Sequence, residues 1–313
     1  MSTSKPVRKR TFRKKLKRYR MLFLLMVPGI AYLLLNNYLP MLGIIIAFKD
    51  INYAKGILAS EWVGLKNFEY LFTTSDAFII TRNTLLYNAA FIAVNTFLAV
   101  ALAILLHEVR HKLLKKFFQS AMLLPYFLSA VIVAYLVYSM LSQEYGFINQ
   151  FILAPLGLEP VAWYMEPKYW PYILTLVSIW KGVGYLSIVY IAAIIGIDHE
   201  YYEASTIDGA TKWQQIKHIT LPLILPVITI MTLLQIGRIF YADFGLFYQI
   251  PMDSGPLLPV TNVIDTYVYR GLMQLGDIGM SSAAGLYQSV VGFVLVLISN
   301  LAVRKLDRDN ALF

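Results

Sequence analysis

The sequence predicts an all-α integral membrane protein with six transmembrane helices and both termini in the cytoplasm, on three observations. The chain of 313 residues is 58% hydrophobic and only 14% charged, with a mean hydropathy of +0.60, more apolar content than one soluble core can bury. Six apolar runs, at about 21–47, 80–106, 117–141, 171–197, 222–246 and 281–303, are each long enough to cross roughly 30 Å of hydrocarbon at about 1.5 Å per residue. The basic residues gather on one side of the arrangement these runs define, which the positive-inside rule makes the cytoplasm.

Residues 1–20 form a basic segment with ten Lys or Arg and no acid. Lying on anionic headgroups, it accounts for much of the net charge of +9 without any nucleic-acid partner. A basic start before an apolar run has the outline of a secretory signal. The run 21–47 exceeds a signal's apolar core and no small-x-small site follows it, so it reads as a retained first helix and opens a transmembrane domain of 21–303. Gly64 and Asn67 punctuate the chain after it. The turn 108–116, between the second and third spans, carries Arg110, Lys112, Lys115 and Lys116 on the inner side. A loop from Gly146 to Pro171 precedes the fourth span, and a polar island, 198–220, separates the fourth from the fifth. In the outer loop from Pro251 to Gly279, Val263, Tyr267, Gly271 or Leu272, and Leu275 recur every three or four residues behind Thr261, which predicts a short amphipathic helix. The tail, 304–313, returns to the inner side with Arg304, Lys305 and Arg308. The outer loops hold the acids Asp50, Glu61, Glu69, Asp76, Glu144, Glu159, Glu166, Asp253, Asp265 and Asp277. With no cysteine, the chain has neither disulfides nor thiolate metal sites.

The polar island has a local logic of its own. Asp198 can cap a helix whose first turns carry Glu200 and Glu203 at its positive end. Gly209 permits the sharp turn that Asp208 favours. Thr211 and Gln214 have the spacing of a capping box for a second short helix through His218, and Thr220 can cap the fifth span with Pro222 in its first turn. A helix, turn, helix element anchored at both ends to spans can act as a lever. Ala204, Ser205, Gly209 and Ala210 are small enough to let another protein approach closely.

Glu203-Ala204-Ser205, then Asp208-Gly209-Ala210, then Ile219-Thr220-Leu221-Pro222 resembles the loop through which type I ABC importer permeases meet their ATPase. The family pattern is Glu-Ala-Ala, three residues, Gly, nine residues, Ile-x-Leu-Pro, and Ser205 alone departs from it. The Asp-Gly-Ala core is common in the carbohydrate branch, and Val260 to Arg270 resembles its oligosaccharide members. The resemblance covers about residues 20–305. It implies a permease in a bacterial cytoplasmic membrane, paired with a second permease, two cytoplasmic ABC ATPases and an external sugar-binding protein. ATP and Mg would be bound by the ATPase, and Glu203 would pair with a basic residue there. A solvated connector without a partner is the alternative reading of the loop. No Gly-x-x-x-x-Gly-Lys-Ser/Thr stretch occurs, so the chain is read as a transport subunit and not an enzyme. His107, His111, His199 and His218 fall at inner helix ends with no third ligand at metal spacing.

Within the spans, Lys181 beside Gly182 falls near mid-membrane in the fourth, and Arg238 and Asp243 in the outer half of the fifth. Ionisable groups at such depth face a bundle interior or a water-filled path. Asn83, Asn88, Asn95, Tyr135, Tyr138, Tyr185, Tyr190 and Gln235 accompany them, side chains that suit sugar hydroxyls and equally suit helix packing. An ion pair from Asp243 to Arg238 or Lys181 is the packing alternative for the charges. A membrane-embedded enzyme acting on lipid-linked sugars and an ATP-independent channel are the rival functions. Neither accounts for the spacing from Glu203 to Pro222.

Overall fold

In hydrocarbon every backbone amide must be satisfied within the protein, and the chain answers almost entirely with helices. The structure, a computed structural model, describes residues 19–306, so the bulk of the basic segment 1–20 and residues 307–313 of the tail lie outside the described residues. Helix α1 (Arg20–Leu33) runs on through a π turn (Leu34–Tyr38), Leu39–Met41 and a 3-10 stretch (Leu42–Phe48) as one apolar unit of 29 residues. A two-residue antiparallel ladder follows, β1 (Lys49–Asp50) against β2 (Glu61–Trp62), pairing Lys49 with Trp62. Next come α2 (Lys66–Thr73), α3 (Ser75–Glu108), α4 (Lys112–Phe127), α5 (Ala130–Leu141) and α6 (Trp170–Ile195). The chain ends with α7 (His199–Ile207), α8 (Lys212–Gln215), α9 (Leu221–Ile236), α10 (Ile264–Met273) and α11 (Ile278–Leu306). Among the described residues five helical units are long and apolar enough to cross a membrane.

The first, second, fourth and sixth predicted spans appear as α1 with its extension, α3, α6 and α11. The third does not appear as one helix: α4 and α5 meet at 99°. Pro125 removes a donor from the last turn of α4, Leu128 and Ser129 are extended, and Ser129 Oγ accepts from the Ile132 N–H at 3.4 Å to start α5 afresh. A sixth crossing exists only if this bent pair forms it. The tail predicted from 304 begins later, because α11 continues to Leu306.

The fifth span ends ten residues early, at Ile236. Residues 237–243 leave the helix, and side chains from three other helices take up their backbone groups. Asn88 Nδ2 on α3 donates to the carbonyls of Ile239 (2.8 Å) and Tyr241 (3.2 Å). Gln288 Nε2 on α11 donates to the carbonyl of Phe240 (2.7 Å) and to Asp265 Oδ2 (3.0 Å), and the same Oδ2 accepts from the Ala242 N–H (2.8 Å). Non-helical backbone is tolerated at such a place because these side chains satisfy its polar groups, although Arg238, Tyr241 and Asp243 are exposed. Burial pushes the Asp265 carboxyl above the usual carboxylate range, against the opposing pull of its bonds from Ala242 and Gln288.

The core centres on the contact of α3 with α6. Ala99 and Ala103 of α3 are fully buried with Tyr190, Ile191 and Ile194 of α6 and Ile224 of α9. A side chain at Gly184 of α6 would collide with the carbonyl of Met122, so that glycine sets how closely α4 lies on α6. The predicted outer helix is α10, with Ile264, Thr266, Tyr267 and Gly271 buried. Gly271, not Leu272, faces inward, because a larger side chain there would meet Ser281 Oγ at 2.6 Å. Leu275 lies beyond the helix and is exposed.

Candidate functional site

The polar island folds as its caps dictate. Asp198 accepts from the Glu200 N–H (3.1 Å) at the start of α7, and Gly209 turns the chain at φ +81°. Thr211 and Gln214 form the capping box, Gln214 Oε1 accepting from the Thr211 N–H at 2.7 Å and Thr211 Oγ1 from the Gln214 N–H at 3.4 Å. Thr220 is not a cap. Its backbone is helical and its hydroxyl pairs with Tyr202 Oη at 2.9 Å, so α8 continues through a π turn (Ile216–Thr220) into α9 as one helical unit, Lys212–Ile236. Ile219, Leu221 and Pro222 lie along this continuous helix rather than at its start.

Sequence reasoning missed Gln215. It is buried, and its Nε2 donates to Ser205 Oγ and Thr206 Oγ1, both at 2.9 Å, tying α7 to α8. Ser205, the departure from the family pattern, is thus an acceptor in the staple, and its own hydroxyl donates to the Tyr202 carbonyl at 2.9 Å. The turn presents Asp208, Gly209 and half-buried Ala210, flanked by Ile207 and Trp213, which are 86% and 69% exposed. Two large apolar side chains in water beside a small-residue turn form a surface that another protein could cover. Glu203 and Ala204 are exposed on α7, with Glu203 Oε1 3.9 Å from His199 Nε2.

A cavity of about 470 Å³ lies among α3, α6 and α9. It brings together Gln235, Arg238, Asn88 and Asn95 from the predicted path, and adds Phe91, Ser178 and Tyr241. Asn95 Nδ2 donates to Ser178 Oγ at 3.2 Å, and Asn95 Oδ1 is buried without a partner. Gly182 stands behind this wall, where an added Cβ would lie 3.9 Å from Asn95 Nδ2. Arg238 and Asp243 fall in the break after α9 rather than within a helix. Asp243 Oδ1 caps the next helical turn by accepting from the Leu246 N–H at 3.1 Å. Among the described residues no ion pair joins Asp243 to Arg238 or Lys181, so the packing pair does not form. Lys181, Tyr185, Tyr135 and Tyr138 do not line this cavity. Tyr185 stacks on Tyr126 at 4.6 Å, Tyr138 packs near Tyr164, and Tyr135 is exposed. Asn83 binds the carbonyls of Pro259 and Asn262 instead, and Tyr190 is in the core.

Residues 95–308 match the family described as binding-protein-dependent transport system inner membrane component. The chain belongs to that family. It is 37% identical over 296 residues to the polygalacturonan/rhamnogalacturonan transport system permease protein YteP of Bacillus subtilis, covering 95% of this chain and 91% of that one. It is also similar to a chain of a bacterial ABC transporter involved in the import of the acidic polysaccharide alginate, with 33% identity, a TM-score of 0.87, and coverage of 95% of this chain and all of the other. A chain of the bacterial alginate transporter in complex with alginate pentasaccharide-bound periplasmic protein matches with a TM-score of 0.86, 33% identity and coverage of 95% and 98%. This permease is therefore a multi-pass transport subunit of an ABC importer and works with a substrate-binding protein; the ATPase of such systems is a separate partner.

Proposed function

We propose that the permease passes oligosaccharides carrying uronate groups through the cavity among α3, α6 and α9. The observation that carries this reading is Arg238: it lines the cavity beside amides and hydroxyls, and among the described residues it makes no ion pair. A guanidinium without a counter-ion, exposed on a wall of amides and hydroxyls within the apolar run 222–246, favours an anionic cargo. Amides and aromatic faces suit the sugar rings that bear the charge. The names of its relatives, a polygalacturonan permease and an alginate importer, agree with that chemistry.

A second permease completes the pathway, two cytoplasmic ATPases bind ATP and Mg, and the turn at Gly209 inserts into one of them with Glu203 on a basic residue there. Closure of the ATPases moves the loop, and the continuous helix Lys212–Ile236 carries the displacement into the cavity wall. Cargo then sees inward and outward openings as a shift between two packings.

Arg238→Met should lower uptake of a galacturonate oligosaccharide about tenfold while changing a neutral oligosaccharide of equal length less than about twofold. Lys181→Met, outside the cavity, should have the smaller effect. Equal losses for both cargoes, at matched membrane levels, would refute the acidic-cargo reading. Sidedness has its own test: in this cysteine-free chain, cysteines placed at Ser75 and Ser254 should react with an impermeant thiol reagent on intact cells, and one at Thr206 should not. Labelling of Thr206→Cys from outside would reverse the assignment.

A further inference from the structure

A second cavity, of about 400 Å³, lies between residues 82–90 of α3 and the first turns of α6, against Val260. Arg82, Leu86 and Ala90 line it from one face of α3, four residues apart. At about 100° per residue, Asn88, Phe91 and Asn95 point the other way, so this cavity is separate from the one proposed for cargo. Its polar end is preformed. Arg82 Nε and Nη2 donate to Asn83 Oδ1 (3.2 and 3.0 Å), Nη2 also donates to the Pro259 carbonyl (3.2 Å), and Asn83 is itself buried and bonded to the Pro259 and Asn262 carbonyls. These acceptors are neutral, and among the described residues no carboxylate pairs with Arg82. Below it, the Tyr87 hydroxyl is buried without a hydrogen-bond partner while the residue, 8% exposed, lines the cavity.

The depth of these groups fits a headgroup. Helix α3 has 34 residues. About 20 cross the hydrocarbon, which leaves about two turns projecting at each end. Arg82 stands two turns from Ser75, at that boundary, and Leu86, which is 63% exposed, and Ala90 descend from it into the apolar layer. Tyr169 and Tyr172 flank the start of α6, whose Pro171 lines the same cavity as Arg82, as aromatic side chains do at a membrane interface.

We propose that this cavity binds an anionic phospholipid of the leaflet opposite the coupling loop. Its phosphodiester lies on Arg82, and an acyl chain follows Leu86 and Ala90 over the ring of Tyr87. Charge complementarity selects this occupant: a phosphodiester brings its own counter-charge to the edge of hydrocarbon, whereas a neighbouring protein helix would have to place a carboxylate there.

The test uses the assembled transporter made free of cysteine, with Leu86→Cys carrying a fluorophore, in phosphatidylcholine vesicles. Brominated phosphatidylglycerol should quench it with about fivefold higher apparent affinity than brominated phosphatidylcholine, the contribution of one basic group at an anionic surface. Arg82→Gln should bring the ratio to about one and Arg82→Lys should keep most of it. Equal quenching by the two lipids in the parent would overturn the proposal. So would no quenching by either, meaning that the second permease covers this face, or loss of phosphatidylglycerol quenching on adding a galacturonate oligosaccharide, meaning that the site belongs to cargo. The labelled parent's ratio needs no change at Arg82, so it decides the matter even if Arg82→Gln fails to assemble.

Discussion

Gly209→Pro should abolish uptake while the permease stays folded in the membrane, and it should no longer retain the ATPase in a pull-down. Gly209 holds φ +81°, a value closed to proline, and its N–H donates to the Thr206 carbonyl at 3.1 Å. The substitution therefore removes a bond and reverses the turn, displacing Asp208 and Ala210 together. Gly209→Ala is the graded control. Nothing lies within 4 Å of an added Cβ, so only the left-handed backbone is strained, at a cost of about 1–2 kcal/mol. It should weaken ATPase retention without abolishing it. Glu203→Lys should match the proline variant through repulsion from the basic residue expected opposite it. Glu203 is 68% exposed, with His199 as its only ionisable neighbour within ion-pair distance among the described residues, so this reversal should not disturb the fold. If Gly209→Pro and Glu203→Lys both kept the ATPase and transported normally, the lever would be elsewhere.

The proposed lever depends on stiffness, and here the structure adds what the sequence hid. Capping chemistry is local: Asp198, Gly209 and the Thr211–Gln214 box are legible because each acts within four residues. Thr220 is a misleading case of the same kind. It has the residue type and position of a cap before Pro222, yet a proline in the first turn after a π bulge leaves the helix unbroken. Long-range effects were out of reach. Hydropathy measures apolar length and not direction, so 117–141 and 222–246 read as straight spans although one bends at Ser129 and the other stops at Ile236. The side chains that stabilise the second break, Asn88, Asp265 and Gln288, come from three separate helices, and no window along the chain contains them together. The residues predicted for the cargo path divide the same way. Gln235 and Arg238 stand three apart at the end of α9 and reach one cavity, whereas Tyr135 and Tyr138 lie on α5, whose direction the bend changes.

Asp265→Ala should destabilise the permease far more than Asp265→Asn, because the carboxylate holds open the break that carries Arg238. Its Oδ2 accepts from both the Ala242 N–H and Gln288 Nε2. Alanine leaves two donors without that acceptor, at about 1–3 kcal/mol for each one that stays buried. Asparagine retains one carbonyl oxygen, enough for both bonds because both fall on a single oxygen, and carries no charge to desolvate. In thermal unfolding of the detergent-solubilised transporter, the alanine variant should melt well below the parent and the asparagine variant at or above it. The pH dependence separates charge from shape. Burial raises the folded-state pKa of Asp265, so the folded protein holds this proton more tightly than the unfolded chain. The stability it contributes is full below the unfolded value of about 4 and is lost as pH rises through the raised folded value. The parent should therefore lose ground to Asp265→Asn as pH climbs from acid toward neutral, and the two should converge in acid. A constant gap across that range would mean that Asp265 acts through shape alone. An Asp265→Ala variant as stable as the parent would mean that the break is held by Asn88 and the Phe240 contact without it.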